Sequence, residues 1–149
     1  MPAYASNREA FHNYDILEKF EAGIVLTGAE VKSIKGGNTS LKGSYAAISN
    51  GHLDVLNMHI GHYKPAGPNQ KIAVDRTRRL LVKRKDIDRF VGKLHSEGLT
   101  LVPLSVYSKS GLIKVELGLG KGKKAFDKRQ SIKKRETNRQ IGRAMRVKV

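Results

Sequence analysis

Few side chains in this sequence have the types and spacing that catalysis or metal binding requires. His59 and His62 form an H-x-x-H pair, but a zinc site needs three or four ligands and the chain contains no cysteine. Gly61 and Pro65 lie close by in the sequence and favour an exposed loop, in which the imidazoles would be solvated or meet phosphate. The sequence therefore predicts neither a metal site nor a cofactor.

The glycine-rich segment at residues 118–124, GLGKGKK, has the composition of a phosphate-binding loop but lacks its spacing. A P-loop requires G-x-x-x-x-G-K-[ST] between a strand and a helix, and here no Ser or Thr follows the lysine. The histidines and serines also show no spacing typical of a nucleophile and its base. We therefore expect this segment to be a flexible basic hinge, and the protein not to be an enzyme.

Positive charge is the strongest chemical feature of the sequence. The 149 residues include 29 Lys and Arg against 13 Asp and Glu, a net charge of +16. Residues 121–149 alone carry 12 Lys and Arg against 2 Asp and Glu, so this tail contributes +10 and residues 1–120 only +6. An isoelectric point near 10.3 makes polyanions the expected partners, with no small-molecule substrate indicated.

Of the possible polyanionic partners, the sequence favours nucleic acid over an anionic membrane. A helix on a membrane surface needs a coherent apolar face, and the few apolar residues of the tail lie among charges on every side. No apolar run approaches the ~18 residues of a membrane span, and the N-terminus lacks the pattern of a signal peptide. We therefore expect a cytoplasmic protein that binds nucleic acid.

A second basic cluster lies in the segment 76–84, RTRRLLVKR, which has the composition of a strand with an apolar centre. On a strand, Arg76 and Arg78 would point to one face and Arg79 to the other. A solvated surface is the usual explanation of such a run, but only Asp75 and Asp86 flank it with negative charge. We therefore expect phosphate contacts from Arg76, Arg78 and Arg79.

Two glutamates are candidates for a functional carboxylate. Thr27 and Glu30 have the S/T-x-x-E spacing of a helix capping box, which already accounts for Glu30. Glu21 lies in a strand-like stretch with no helix to cap. Its carboxylate either pairs with a nearby Lys or Arg or contacts a base of the nucleic acid, and the residues alone leave both roles open.

Apolar alternation and turn signals predict a mainly β protein. The predicted strands are residues 14–26, 44–49, 52–60, 76–84, 100–107 and 112–119. Gly23 is expected to mark a bulge or bend in the first of them. Asn50-Gly51 predicts a type I′ hairpin, and residues 108–111 predict a second hairpin.

Two helices interrupt these strands. One of about two turns follows Thr27 and stops at Gly36-Gly37, and the other, over residues 85–98, places Ile87, Phe90, Val91 and Leu94 on one face. A small antiparallel sheet of about six strands avoids open edges by curling into a barrel. We expect residues 1–120 to form this barrel, with two or three flanking helices, and residues 121–149 to be a tail that is disordered when free.

Seven segments occur in colinear order between about residue 7 and residue 146. They are NREAFHNY (7–14), FEAGIVLTGAEVKSI (20–34), SYA (44–46), NMHI (57–60), RTRRLL (76–81), LVPLSVY (101–107) and KGKKAFDKR (121–129). This combination resembles the SmpB family of SsrA-binding proteins. The resemblance implies an oligonucleotide-binding (OB) type antiparallel β-barrel with flanking helices, in line with the barrel predicted above.

The resemblance also implies a function. Members of this family bind the tRNA-like domain of transfer-messenger RNA (tmRNA, or SsrA) and bring it to bacterial ribosomes stalled on messages without a stop codon. The protein stands in for the missing anticodon arm of the RNA. Translation then switches to the reading frame of the tmRNA, which adds a degradation tag, and the protein itself performs no chemistry.

Carried over to this sequence, the resemblance assigns RNA binding to Asn7, Glu21 and Leu81. Glu21 would accept hydrogen bonds from base edges, and Leu81 would offer an apolar surface to an unstacked base. With the arginines above and the lysines at the start of the tail, the predicted RNA-binding residues are Asn7, Glu21, Leu81, Arg76, Arg78, Arg79, Lys121, Lys123 and Lys124.

For the tail the resemblance implies a role on the ribosome. Asp127, Lys128 and Arg129 match a family motif that acts after RNA binding, and the residues beyond would lie as a helix in the empty mRNA path of the small subunit, lined by ribosomal RNA next to the decoding centre. The residues expected to act there are Asp127, Lys128, Arg129, Lys133, Lys134, Arg135, Arg139, Arg143 and Met145.

A structural ribosomal protein is the alternative, since such proteins are also small, basic and tailed. A ribosomal protein would remain on ribosomes in stoichiometric amounts through high-salt washing. A rescue factor would be substoichiometric and would travel with one RNA.

Overall fold

A computed structural model describes residues 3–67 and 72–123 of the chain. In these residues short helices alternate with antiparallel strands. The elements are β1 (Ala5–Ser6), α1 (Arg8–Asn13), β2 (Tyr14–Ile24), α2 (Gly28–Lys35), β3 (Thr39–Ser40), β4 (Tyr45–Ser49), β5 (His52–Leu56), β6 (His59–Ile60), a 3₁₀ turn (Lys64–Ala66), β7 (Arg78–Leu81), α3 (Arg84–Ser96), β8 (Thr100–Lys109) and β9 (Leu112–Gly122).

Seven of these strands form one antiparallel sheet, in the order β1-β8-β9-β2-β7-β5-β4, and β3 pairs with β6. The sheet curls until β4 packs against β8, yet in the described part of the chain no ladder joins β4 to β8 or β1. The predicted class, mainly antiparallel β with flanking helices, is confirmed. The barrel, however, stays open along the seam between β4 and β8, and its sheet has one strand more than the six expected.

Both predicted helices are present. α2 has the expected ends, whereas α3 begins one residue earlier and ends two residues earlier than the predicted range of 85–98. The Thr27 hydroxyl accepts from the Glu30 N–H at 3.2 Å and the Glu30 carboxylate accepts from the Thr27 N–H at 2.9 Å, so the capping box at α2 is complete. Phe90 of α3 is buried and stacks on Phe20 of β2 with ring centroids 4.0 Å apart. This stack fastens α3 to the sheet.

The predicted Asn50-Gly51 turn is confirmed, with φ of 52° and 74° as type I′ requires, and Ser110-Gly111 forms the equivalent turn between β8 and β9. The single strand expected over residues 52–60 is divided into β5 and β6, because Asn57 has a positive φ of 60° and breaks the extended backbone. The irregularity in β2 falls between Ile16 and Glu18 rather than at Gly23.

β9 shows how the alternation of side chains builds the core. Val115 and Leu117 are fully buried, Ile113 is nearly so, and Lys114 and Glu116 point to the other face, as the sequence predicts. The strand continues through Gly122, so it includes two residues that the sequence analysis assigned to the tail. Lys124 and the rest of the tail lie outside the described residues.

A buried ion cluster ties α2 to β7. The Arg78 Nε donates to Glu30 Oε2 at 2.6 Å, and the Arg76 guanidinium donates to Glu30 Oε1 at 2.5 Å. The remaining nitrogens of Arg78 donate to the carbonyls of Met58 (2.5 Å) and Val74 (3.0 Å). Burial raises the pKa of Glu30, but hydrogen bonds from Arg76, the Thr27 N–H and Arg78 outweigh this effect and hold the pKa below its usual value.

Arg78 has 0% of its surface exposed. It therefore has no guanidinium surface to offer a phosphate, contrary to the sequence prediction for this residue.

Among the described residues, no helix has the length and apolarity to span a bilayer, and no group of three or more His, Asp or Glu side chains is placed to hold a metal ion.

We expect Arg78→Ala to lower the free energy of unfolding by about 3–5 kcal/mol, because it leaves Glu30 buried with only part of its charge compensated. The matched control is Arg79→Ala on the same strand. Arg79 is exposed, and its Nε lies 3.8 Å from Asp54 Oδ1. That variant should lose less than about 1 kcal/mol. Urea denaturation followed by circular dichroism measures both, and similar losses in the two variants would contradict the structural role of Arg78.

Candidate nucleic-acid interface

The candidate interface is the outer face of the neighbouring strands β7, β2, β9 and β8. A row of side chains crosses this face, because Glu21 lies opposite Glu116, Glu116 opposite Ser105, and Ser105 opposite Ser6 of β1. At about 4.8 Å between adjacent strands, the row spans about 14 Å. Such a surface has the width to contact more than one nucleotide.

Leu81 lies on the same face as Glu21. It is paired with Gly23, two residues along β2 from Glu21, and is 57% exposed. A Cβ atom at Gly23 would lie only 3.3 Å from the Leu81 Cβ, so glycine keeps the sheet surface open beside Leu81. A groove of about 220 Å³ lies at this pair, and its lining includes Gly23, Leu81 and the exposed Leu112. The fold therefore places the carboxylate and the apolar surface on the same face of the sheet, two residues apart along β2.

Glu21 is held by residues of β8. The Tyr107 hydroxyl donates to Glu21 Oε2, and the Lys109 Nζ lies 3.6 Å from the same oxygen. The hydrogen bond from Tyr107, with Lys109 nearby, holds the pKa of Glu21 below its usual value, whereas burial and Glu21 raise the pKa of Tyr107. A Lys or Arg partner was one of the two roles that the sequence left open for Glu21, and Lys109 fits it. Tyr107 was not predicted, because no local pattern gives a signal for it.

Asn7 is placed differently from Glu21 and Leu81. It follows Ser6, at the edge of the cross-strand row, but is only 7% exposed. Its Oδ1 accepts from the Ala10 N–H at 3.3 Å and caps α1, while its Nδ2 donates to the Pro103 carbonyl at 2.9 Å. Both the oxygen and the nitrogen of the Asn7 side-chain amide are therefore hydrogen-bonded within the protein, and these bonds link α1 to β8.

The predicted basic residues differ in how much charge they present. Arg79 is exposed on β7, and Lys121 is exposed near the end of β9. Arg76 is partly exposed but bound to Glu30. Lys123 donates from Nζ to the Phe11 carbonyl at 3.2 Å and lies 3.9 Å from Asp15.

The structure also reveals an aromatic surface that the sequence analysis did not single out. Phe11 of α1 is exposed, and the Lys19 ammonium lies 5.4 Å from the centre of its ring. An apolar residue in a short helix normally indicates core, so no pattern in the sequence marks this ring as accessible.

The predicted residues Lys124, Asp127, Lys128, Arg129, Lys133, Lys134, Arg135, Arg139, Arg143 and Met145 lie outside the described part of the chain.

Comparisons with known proteins agree with the resemblance seen in the sequence. The model of the SmpB protein family matches residues 4–147. The SsrA-binding protein of Carboxydothermus hydrogenoformans is 49% identical over 144 residues, covering 97% of this chain and 96% of the relative. That of Trichormus variabilis is 49% identical over 140 residues, covering 94% and 90%.

A solved structure gives the same result for the fold. It is described as "tmRNA-SmpB: a journey to the center of the bacterial ribosome", and one of its chains matches with a TM-score of 0.66 at 44% identity. The match covers 80% of this chain and 84% of that one.

Tyr107→Phe removes the hydroxyl that donates to Glu21, so we expect the pKa of Glu21 to rise toward its usual value. The side-chain carboxyl signal of Glu21, followed by NMR through an acid titration, measures this shift. Tyr45→Phe on β4, another strand of the sheet, is the control and should leave the Glu21 titration unchanged. An unaltered pKa in Tyr107→Phe would mean that the hydroxyl does not stabilise the carboxylate in solution.

Proposed function

Because the chain belongs to the SmpB family of SsrA-binding proteins, we propose that it binds the tRNA-like domain of tmRNA and delivers it to stalled ribosomes for trans-translation. In this role the protein stands in for the missing anticodon arm and works in the cytoplasm as an RNA-binding protein without catalysis. The observation that carries the proposal is the exposed sheet face on which Glu21 and Leu81 lie together.

Base recognition and phosphate attraction fall to different residues in this proposal. Contacts to bases carry sequence information, whereas contacts to phosphates fix position and contribute most of the salt dependence. Glu21 and Leu81 serve base recognition. Arg79 and Lys121 have exposed charges for phosphate, and Arg76 shares its charge with Glu30. Asn7 supports the surface by holding α1 in place.

The tail acts after RNA binding. In this proposal Lys123 and Lys124 contribute to RNA binding, and Asp127, Lys128 and Arg129 act on the ribosome. The remaining basic residues suit the empty mRNA path because a channel lined by ribosomal RNA presents phosphate on every side of an inserted segment. A net charge of +10 over residues 121–149 matches such surroundings, and we propose that the residues beyond Arg129 become helical there.

Two variants separate these roles. Glu21→Ala should weaken binding of the tRNA-like domain by roughly 5- to 100-fold, the value of a good base contact, with an unchanged circular dichroism spectrum. Asp127→Ala combined with Lys128→Ala should retain RNA affinity and abolish peptide tagging. Fluorescence titration and tagging on ribosomes stalled on a message without a stop codon measure the two properties.

Equal loss of RNA affinity in both variants would contradict the separation of recognition from ribosomal action. Unchanged RNA affinity in Glu21→Ala, together with stoichiometric retention on salt-washed ribosomes, would instead favour the structural ribosomal protein.

The exposed arginine of β7 provides a test of phosphate contact. Arg79→Ala should reduce the slope of log affinity against log salt concentration by about 0.7–0.9, the contribution of one phosphate. Arg89→Ala is the control, because Arg89 binds Glu18 on the side of β2 opposite Glu21. Its slope should equal that of the unmodified protein, and an equal reduction in both variants would show that net charge alone is being measured.

A further inference from the structure

We propose that the chain holds the start of its basic tail against its own body: in the free protein, Phe126 docks in a cavity at the seam between β4 and β8. Such docking precedes any contact with RNA, so it does not depend on the proposed function. It narrows the expectation that residues 121–149 are disordered when free, because it fixes the first of them to the folded body.

The tail leaves the body at a fixed point. Gly122, the last residue of β9, lies opposite Tyr14. The backbone N–H of Lys123 donates to the Asn13 carbonyl at 2.9 Å, and its side chain donates to the Phe11 carbonyl at 3.2 Å. The path of the tail therefore starts at the junction of α1 and β2.

A cavity of about 400 Å³ opens at this junction. Asn13 and Tyr14 line it from α1 and β2, and Tyr45 lines it from the start of β4, across the open seam. Ala10 and Val102, both buried, also belong to the lining, whereas Tyr45 is 43% exposed. A ring placed between the two tyrosines would therefore cover apolar surface that solvent now contacts.

The direction of β9 brings the next residues toward this cavity. Side chains alternate along an extended chain, so residues 124 and 126 share the face of Gly122, on which Tyr14 also lies. A Cβ atom at Gly122 would meet no described atom within 4 Å, so this face is open beside Tyr14. Phe126 lies three residues beyond Lys123, a reach of up to about 10 Å.

The chain itself supplies an occupant of suitable chemistry. Phe126 is the one aromatic residue among residues 124–149, and aromatic rings pack favourably on one another in offset and edge-to-face geometries. Among the described residues that line the cavity only Glu9 is charged, while residues 124–129 carry three cations against one carboxylate. The ring and the charge of this segment therefore both match the cavity.

A short tether makes even a weak contact populated, because a linker of few residues gives an effective concentration in the millimolar range. Docking removes Phe126 from water and keeps the start of the tail beside α1. The basic residues beyond Arg129 keep their charge for a polyanion. Since the docked contact is weak, a partner that binds the tail more strongly releases Phe126.

A single fluorescent reporter tests the docking, because the chain contains no tryptophan. Phe126→Trp is compared with Ile132→Trp, six residues further along the tail, in the full-length protein without RNA. We expect the tryptophan of Phe126→Trp to emit at shorter wavelength. Its quenching by acrylamide should be about two- to fivefold weaker, as for a docked fraction of roughly 50–80%.

Two further substitutions locate the site. Tyr45→Ala, added to Phe126→Trp, removes part of the lining and should raise the quenching to that of Ile132→Trp. Leu112→Ala is the control, since it truncates another exposed apolar side chain, at the turn between β8 and β9, and should leave the quenching low. Circular dichroism verifies that both variants keep the fold.

NMR decides the case in which the larger tryptophan ring does not fit. Phe126→Ala should shift the amide signals of Tyr14, Tyr45 and Thr100, which line the cavity, whereas Ile132→Ala should leave them in place.

Equal quenching of the two tryptophan variants, together with unchanged amide signals in Phe126→Ala, would overturn the docking. Protection that persists in Tyr45→Ala, or that is lost on dilution, would also overturn it, because the segment would then lie elsewhere on the body or on a second copy. None of these measurements requires RNA, so their failure leaves the proposed function untouched.

Discussion

The buried ion pair between Arg78 and Glu30 is the constraint on which the arrangement of the interface depends. A charge without exposed surface must find its partners inside the protein, and Arg78 finds them in Glu30 and two backbone carbonyls. Side chains alternate along a strand, so placing Arg78 and Leu80 inside places Arg79 and Leu81 outside. Since β7 pairs with β2 at Gly23, the same constraint brings Leu81 close to Glu21.

The arginines of one short segment consequently have three different roles. Arg78 is structural, Arg76 is divided between Glu30 and solvent, and Arg79 presents its charge at the surface. A run of basic residues in a sequence therefore does not measure the charge available to a nucleic acid. Only the fold determines which guanidinium groups keep their hydrogen-bonding capacity for phosphate.

In the proposed function, specificity on the sheet face also depends on a charged side chain that its neighbours hold by hydrogen bonds and charge. Glu21 is held by a hydroxyl and an ammonium from β8, while Leu81 and Gly23 keep an open apolar surface beside it. Both contributions come from regular strands rather than from loops, which holds them in fixed register. The larger share of the positive charge lies in residues 121–149, so the proposed function assigns long-range attraction and base recognition to different parts of the chain.

The sequence by itself determined the features that arise between near neighbours. The capping box of Thr27 and Glu30, the Asn50-Gly51 turn and the apolar face of α3 follow from spacings of a few residues, and the colinear motifs identified the family. Tertiary structure alone decided that Arg78 meets Glu30 across 48 residues and that Tyr107 meets Glu21 across 86. Such contacts depend on which strands pair and in which register, and these are settled by the packing of the whole core rather than by any local pattern.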